Sequence, residues 1–517
     1  MKNKKQKPNK HSSGGGEQLY NFLNKNIKEF NPYILSILSI IFLVLVGLIS
    51  YKVNTTYAVF TDTIMGTKTI EITVKADTLD KSGANKPVLD NAMIPVYYDE
   101  KAETWKKADE TNKNKKYQWY DYNNKMWANS ATVSSANRST YQSASVGTTI
   151  PMDDILTMQV WIPRYKYKLW NYNADGTKTS EPQEIEITFE DGTDKTGEIT
   201  CTDTISGTDG AASETCKIGS TTCTDSTCNN KYYTHPAFTF GDEEIKGFWI
   251  GKFELTGTIS NITTKPNLSS IRNQSVSSFE TNIMNMKNSG NRYGLSTNTD
   301  THMIKNIEWG AVAYLSHSKY GTCTSGSCTE VGINNNSNYM TGCGANAGSS
   351  SSTTCNSYNT SKGMLASTTG NIYGVYDMSG CSWEYTMSNM IWTDGLTMVS
   401  GNSTTDNSGY TGILYNNGKY GSYTGISYPS VKYYDRYSYG QYLSRIRSKL
   451  GDCVKEMVNN TSNNYGWYSD YSYLTNENNS WSSLGGAYDA SSDAGIFAAS
   501  HYRGSKNDNR STRLIII

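Results

Sequence analysis

Residues 246–256 read Lys-Gly-Phe-Trp-Ile-Gly-Lys-Phe-Glu-Leu-Thr. Alternation of period two puts Phe248, Ile250 and Phe253 or Leu255 on inward-facing positions, the pattern of a buried β-strand. Further on, Asn306-Ile307-Glu308-Trp309-Gly310-Ala311-Val312-Ala313-Tyr314-Leu315 changes to helical spacing. Trp309, Val312, Ala313 and Ser316 form one stripe behind Asn306 as N-cap, which predicts a helix from about Asn306 to His317. An earlier helix is predicted where Val276, Phe279, Ile283 and Met286 share a face, with Ser277 and Glu280 as a capping box and Gly290 as the C-cap glycine. In Asn371-Ile372-Tyr373-Gly374-Val375-Tyr376-Asp377-Met378-Ser379-Gly380 the two glycines allow turns that a Cβ would obstruct, and Trp383 beyond them reads as a core residue.

Toward the N-terminus, residues 33–51 read YILSILSIIFLVLVGLISY, nineteen residues without a charge. At 1.5 Å per residue this run nearly matches a hydrocarbon core of about 30 Å. Lys2, Lys4, Lys5, Lys7, Lys10, Lys25 and Lys28 precede it against Glu17 and Glu29, so the positive-inside bias keeps the N-terminus cytoplasmic and the bulk outside. The alternative is a cleaved signal peptide, with Thr56-Tyr57-Ala58 as the small-x-small site. The expected organisation is a basic tail over 1–32, a transmembrane helix over 33–51 and a β-rich stalk over 52–90. A small β module over 91–160 and a large domain over 161–517, interrupted by a disulfide-loop insert at 195–230, complete it.

The cysteines fit export. Cys201 and Cys216, Cys223 and Cys228, Cys323 and Cys328, and Cys343 and Cys355 fall in close couples within Gly/Ser/Thr-rich excursions, leaving Cys381 and Cys453 as a further candidate pair. A C-x4-C spacing occurs twice and could suggest zinc, but no histidine is near either pair in the sequence, so disulfides are preferred.

The chain has 47 Lys plus Arg and 47 Asp plus Glu, which leaves no net field to attract nucleic acid. Hydrophobic residues are only 36% while tyrosine reaches 39 residues, so an aromatic-rich core wrapped in polar loops is expected.

Four segments in order, 246–256, 306–315, 371–380 and Gly485-Gly486-Ala487-Tyr488 through Arg513, resemble the formylglycine-generating enzyme (sulfatase-modifying factor) family. The family's patterns are F-x-I-x-K-x-E-V-T, N-V-x-W-x-x-A, N-x-x-G-L-Y-D-M-x-G-N-V-W-E-W, and a late R-G-G-S-W followed by G-F-R. The resemblance covers roughly residues 161–517. It implies an α+β, C-type-lectin-like fold with little regular secondary structure, here preceded by the transmembrane helix and stalk. The family's oxidases use a cysteine pair between the last two motifs, whereas residues 489–500 contain none, so the resemblance implies a catalytically inactive branch. His235, His302, His317 and His501 show no H-x3-H pattern for iron and read as surface or capping histidines. Cys381 stands where the family carries an asparagine of its calcium site. No catalytic residue, metal-ligand set or cofactor is therefore expected.

From Asn463 onward, short apolar anchors alternate with Tyr, Ser, Asn and Asp, the chemistry of adaptable recognition surfaces. Leu484, Ile496, Phe497 and Leu514 are predicted to hold the scaffold. Tyr488, Asp489, Ser491, Ser492, Asp493, His501, Tyr502, Arg503, Lys506, Asn507 and Asn509 are predicted to face a ligand. The composition also resembles the variable C-terminus of retroelement-diversified lectin-type proteins. The expectation is a bacterial-type, membrane-anchored cell-surface binding or adhesion protein without catalytic activity. Its partners would be the membrane, through one N-terminal helix, and an unknown protein or glycan ligand, with no nucleic acid. A modifying enzyme of the formylglycine-generating type and a structural envelope or pilus-like subunit are the alternatives.

Overall fold

The computed structural model describes residues 58–60, 70–72, 78–172, 181–205, 212–393, 397–439, 448–457 and 465–517. Residues 1–32 and 33–51, read as tail and membrane helix, lie outside the described residues. No helix among the described residues is long and apolar enough to cross a membrane. Two compact units divide the chain after Asp77. In the first, Ala58–Phe60 pairs antiparallel with Ile70–Ile72, a short hairpin within the expected stalk.

The second unit corrects the expected fold class. It is predominantly β, with many short strands in several sheets rather than an α+β, C-type-lectin-like domain of loops laid over few elements. Tyr- and Thr-rich tracts that lack helical periodicity satisfy their backbone groups by pairing with distant strands, which no local pattern reveals. The central sheet has seven strands in the order Thr301–Met303, Leu514–Ile516, Gly247–Gly251, Ile155–Pro163, Asn129–Val133, Ile94–Asp99 and Thr104–Lys107, every neighbour antiparallel. Ile155–Pro163 is buried along its whole length. The boundary expected between 160 and 161 falls inside this strand, which pairs with Asn129–Val133 on one side and Gly247–Gly251 on the other.

A second sheet of six strands carries the disulfide insert, in which Cys201 lies directly across from Cys216. The third sheet positions the C-terminal face. Trp383–Met390 lies between Asp435–Tyr437 and Trp481–Leu484, Ala499–Tyr502 follows at the edge, and Arg510–Ser511 also pairs with Trp383–Met390.

Both predicted helices form, with different caps. Val276–Met284 is capped by Ser275, whose hydroxyl accepts from Ser278 N at 3.3 Å. The expected capping-box partner Glu280 is instead buried and accepts from Met303 N at 2.7 Å. Asn306–Ser316 starts after Lys305, whose backbone N–H donates to Glu308 Oε2 at 2.8 Å. Asn306 is inside the helix and spends its side chain on Thr386, Tyr437 and Ser482. Gly380 has φ +80°, and a Cβ there would fall 2.3 Å from Asn334 O, so this turn requires glycine.

Candidate functional site

Leu484, Ile496, Phe497 and Leu514 are all buried beneath the C-terminal strands. Above them the predicted outward residues fall into three groups. Tyr488, Asp489, Ser491, Ser492 and Asp493 occupy the turn after Trp481–Leu484, with Asp489 and Ser492 exposed and the others half-buried. His501, Tyr502 and Arg503 lie on or just beyond the edge strand, and Arg503 is ion-paired with Asp406. Lys506, Asn507 and Asn509 occupy the following turn, where Asn507 Oδ1 accepts from Asn509 N at 2.9 Å.

Residues outside the predicted set join these groups. The Arg272 guanidinium lies 3.6 Å from the Tyr339 ring centroid and also donates to Asp508 O. Tyr339 in turn meets the Tyr488 ring edge-on at 4.8 Å, so Arg272 links the first turn to the third. On the sheet a second run of rings connects Trp383 to Tyr471 at 6.4 Å, Tyr471 to Tyr473 at 5.0 Å and Tyr473 to His501 at 5.5 Å. All four rings are half-buried. Trp383 is thus on the face and not in the core, a correction to its reading as a core residue. It is the first residue of its strand and is half-buried, with the Tyr471 ring beside it. Arg510 stacks 4.0 Å from the Tyr502 centroid. Burial pushes Tyr339 and Tyr471 up to about 12, so both are neutral hydroxyls at physiological pH. The face therefore offers aromatic edges, amides and hydroxyls, held by stacked guanidinium groups and a buried apolar floor.

Beneath it the four sequence motifs converge. Lys252 is fully buried and its ammonium donates to Asn129 Oδ1, Ile372 O and Gly374 O at 2.7–2.8 Å. Trp309 Nε1 donates to Ile496 O at 2.8 Å, tying the helix to the C-terminal segment. Arg513 is ion-paired with Glu384, while Glu254 accepts from Ser382 N and Asp377 from Asn334 and Gly342 N. Three buried carboxylates thus surround one guanidinium, and burial raises the pKa of Glu254 and Asp377. Glu254 Oε2 and Asp377 Oδ2 are buried without a hydrogen-bond partner. These two oxygens are the atoms that could take a hard cation such as calcium. Among the described residues no third His, Cys, Asp or Glu atom joins them within 4.8 Å, so backbone carbonyls and water would have to complete the shell. Cys381, expected to mark the loss of a calcium ligand, lies beside both residues, and its buried thiol is next to the Glu254 carboxylate.

All four close cysteine couples are disulfide-bonded. Cys381 and Cys453, expected to pair, are free and buried. Cys381 lies beside Glu254 and Asp377, whereas Cys453 lies beside Tyr165, Tyr314 and Glu456, so the two thiols belong to different surroundings. Burial pushes both thiols up, the opposite of what a nucleophile needs. His317 Nδ1 stands 3.8 Å from Cys323 Sγ, so a histidine does approach one C-x4-C pair, although both sulfurs there are held in the disulfide. His235, His302 and His317 are buried rather than on the surface; His235 does cap, its Nδ1 accepting from Ala237 N at 3.3 Å, and His302 sits between Asp300 at 2.8 Å and Glu308 at 3.0 Å.

No protein-family model matches the chain, and no curated protein is significantly similar to it.

Proposed function

We propose that this chain is an exported, surface-displayed binding protein whose C-terminal face recognises a ligand without transforming it. The observation that carries the reading is the run Trp383, Tyr471, Tyr473 and His501, half-buried and in ring contact along the C-terminal strands. Aromatic side chains with few rotatable bonds lose little entropy on binding, and surrounding amides adapt to varied partners. Export is supported by the apolar run 33–51 behind a lysine-rich segment and by four disulfides. The lack of any cysteine in residues 489–500 and the burial of both free thiols favour binding over thiol-based oxidation. The ordered motif set 246–256, 306–315, 371–380 and 485–513 supports kinship with the formylglycine-generating enzyme family in sequence pattern.

The test is an array of glycans and purified surface proteins probed with the full chain. At least one ligand is expected whose signal falls roughly tenfold or more in a Tyr471→Ala, Tyr473→Ala double variant that keeps the parent circular dichroism, as for loss of a pair of aromatic anchors. Copper-dependent oxidation of a cysteine in a test peptide by the parent chain would overturn the reading.

A further inference from the structure

A cavity of about 650 Å³ lies where the six-stranded sheet meets Lys449 and Leu450, and its size falls within the range of small-molecule sites. The sheet's side of it comes chiefly from the antiparallel strands Ile199–Ile205 and Ala212–Ile218. Residues directly opposite in such a pair project to one face, as do residues two apart on one strand. Cys201 is opposite Cys216 and Asp203 is opposite Glu214, so these four side chains share a face. Both acids reach the far wall of the cavity from it: Asp203 is ion-paired with Lys449, and Glu214 Oε2 accepts from Leu450 N at 3.1 Å. The Cys201–Cys216 disulfide is on that same face, with Cys201 half-buried in the cavity lining and Cys216 only 1% exposed.

An acid stands beside this bond. A carboxyl oxygen of Glu214 and the two sulfurs all lie within 4.8 Å of one another, and among the described residues no other disulfide has a carboxyl so placed. Burial pushes that carboxyl up to about 8, with Asp203 acting in the same direction and Lys455 and Lys449 against it, so it holds its proton at neutral pH. Opening a disulfide requires one sulfur to leave as a thiolate, and on buried Cys216 an unsolvated anion is costly. A proton delivered from Glu214 removes that cost. The strands stay paired from Ala212 opposite Ile205 to Ile218 opposite Ile199, so the two sulfurs remain in register once the bond is open.

The rest of the lining selects among thiols. Asp203, Asp242 and Asp435 face Lys195 and Lys449, and both lysines are already ion-paired, Lys195 with Glu244 at 2.8 Å and Lys449 with Asp203. The other polar side chains, Thr200, Thr202, Tyr233, Thr234 and Thr239, are neutral hydroxyls. The carboxylate excess therefore favours a positively charged entrant.

We propose that the Cys201–Cys216 disulfide is a thiolation site for small cationic thiols. The entering thiolate attacks Cys201 Sγ and forms a new S–S bond. The Cys201–Cys216 bond breaks with its electron pair on Cys216 Sγ, and the Glu214 proton passes to that sulfur. The products are a mixed disulfide on Cys201, a Cys216 thiol and a Glu214 carboxylate. The site is separate from the C-terminal face and stands or falls independently of it.

The full chain is treated with thiol, acid-quenched, alkylated in denaturant and read by mass spectrometry. Each rate is divided by that of the same thiol on hydroxyethyl disulfide in the same buffer, which removes the thiol's own ionisation and nucleophilicity. Cysteamine is expected to modify Cys201 before any other disulfide opens, with Cys216 recovered alkylated. Its rate ratio is expected to exceed that of mercaptoethanesulfonate roughly threefold or more. With neutral mercaptoethanol the ratio should fall as pH rises through about 8, where Glu214 loses its proton. Glu214→Gln should lower the ratio about tenfold near neutral pH and leave it flat with pH. The parent's pH profile decides the matter alone should Glu214→Gln fail to fold. A first adduct on any other cysteine, no preference for the cationic thiol, a parent ratio that does not fall through pH of about 8, or a Glu214→Gln ratio equal to the parent's would overturn the proposal.

Discussion

Arg513 and Glu384 are 129 residues apart in sequence and meet as two fully buried side chains, Arg513 Nε donating to Glu384 Oε2 at 3.0 Å and its Nη2 to the other carboxylate oxygen. Arg513 Nη1 also donates to Gly251 O at 3.0 Å, so one guanidinium joins the central sheet to the C-terminal sheet. Arg513→Met removes the cation and leaves Glu384 buried with no opposite charge beside it. The expected loss is about 3–5 kcal/mol by urea denaturation. The double variant Arg513→Met, Glu384→Leu is expected to recover part of it, since no orphaned charge remains. A single variant as stable as the parent would mean that the pair does not hold the sheets together.

Glu254 Oε2 and Asp377 Oδ2 are buried near this pair without a hydrogen-bond partner, with the Cys381 thiol next to Glu254. If a hard cation occupies them, calcium should raise the melting temperature of chelator-treated protein, because a ligand bound only by the folded chain stabilises it by mass action. Glu254→Gln and Asp377→Asn should each remove the calcium-dependent part of the shift. Calorimetry with magnesium in parallel checks selectivity, since magnesium demands a tighter octahedral shell. No shift with calcium would leave protonation as the way the two oxygens are accommodated.

The parts of the molecule legible in sequence are those set by neighbours along the chain. The apolar run around Phe248 and Ile250 locates Gly247–Gly251, although Trp249 between them is buried as well, and close spacing identifies Cys201 with Cys216 and Cys343 with Cys355. The anchors Leu484, Ile496 and Phe497 were readable because apolar residues stand out among polar ones. What depends on distant partners was not readable. Ser275 rather than Ser277 caps its helix because Ser277 is drawn to Ser408 and Gly409, and Trp383 is half-buried against Tyr471, a neighbour that arrives from another part of the chain. Most of the strands are too short for periodicity to distinguish them from turns, so a mostly β unit looked like loops.

The disulfides should differ in worth. Cys201 and Cys216 enclose a separation of 15 residues across paired strands, whereas Cys323 and Cys328 are separated by 5. In the chain-entropy account a longer closed loop restricts the unfolded state more, by about 3 kcal/mol for a loop of roughly 15 residues. Replacing Cys201 and Cys216 with serine should therefore lower the urea midpoint more than replacing Cys323 and Cys328. The reverse order would show that native contacts around His317, not loop closure, dominate.

Stability should also fall as pH rises above neutrality. Glu456 is buried, accepts from Tyr167 at 2.6 Å and Tyr314 at 2.7 Å, and burial pushes its carboxyl up to about 7; Glu280 is pushed up to about 8 by the same cause. An unfolded glutamate titrates near about 4.3, so between that value and about 7 the folded chain holds a proton that the unfolded chain has released. The stabilisation is fully present below the unfolded value and lost as pH rises through the folded one. His302 acts with the same sign up to about 9, where its carboxylate partners keep it protonated against the opposing effect of burial. His235 and His317, pushed down by burial to about 3 and about 4, act oppositely, but only below their unfolded value of about 6.5. The interval from about pH 6.5 to 8 therefore isolates the raised groups. Urea midpoints should decline across it, and Glu456→Gln, which has no proton to lose, should reduce the slope. An unchanged slope in that variant would mean that Glu456 is already ionised in the folded protein, with the two tyrosine hydroxyls enough to hold its charge.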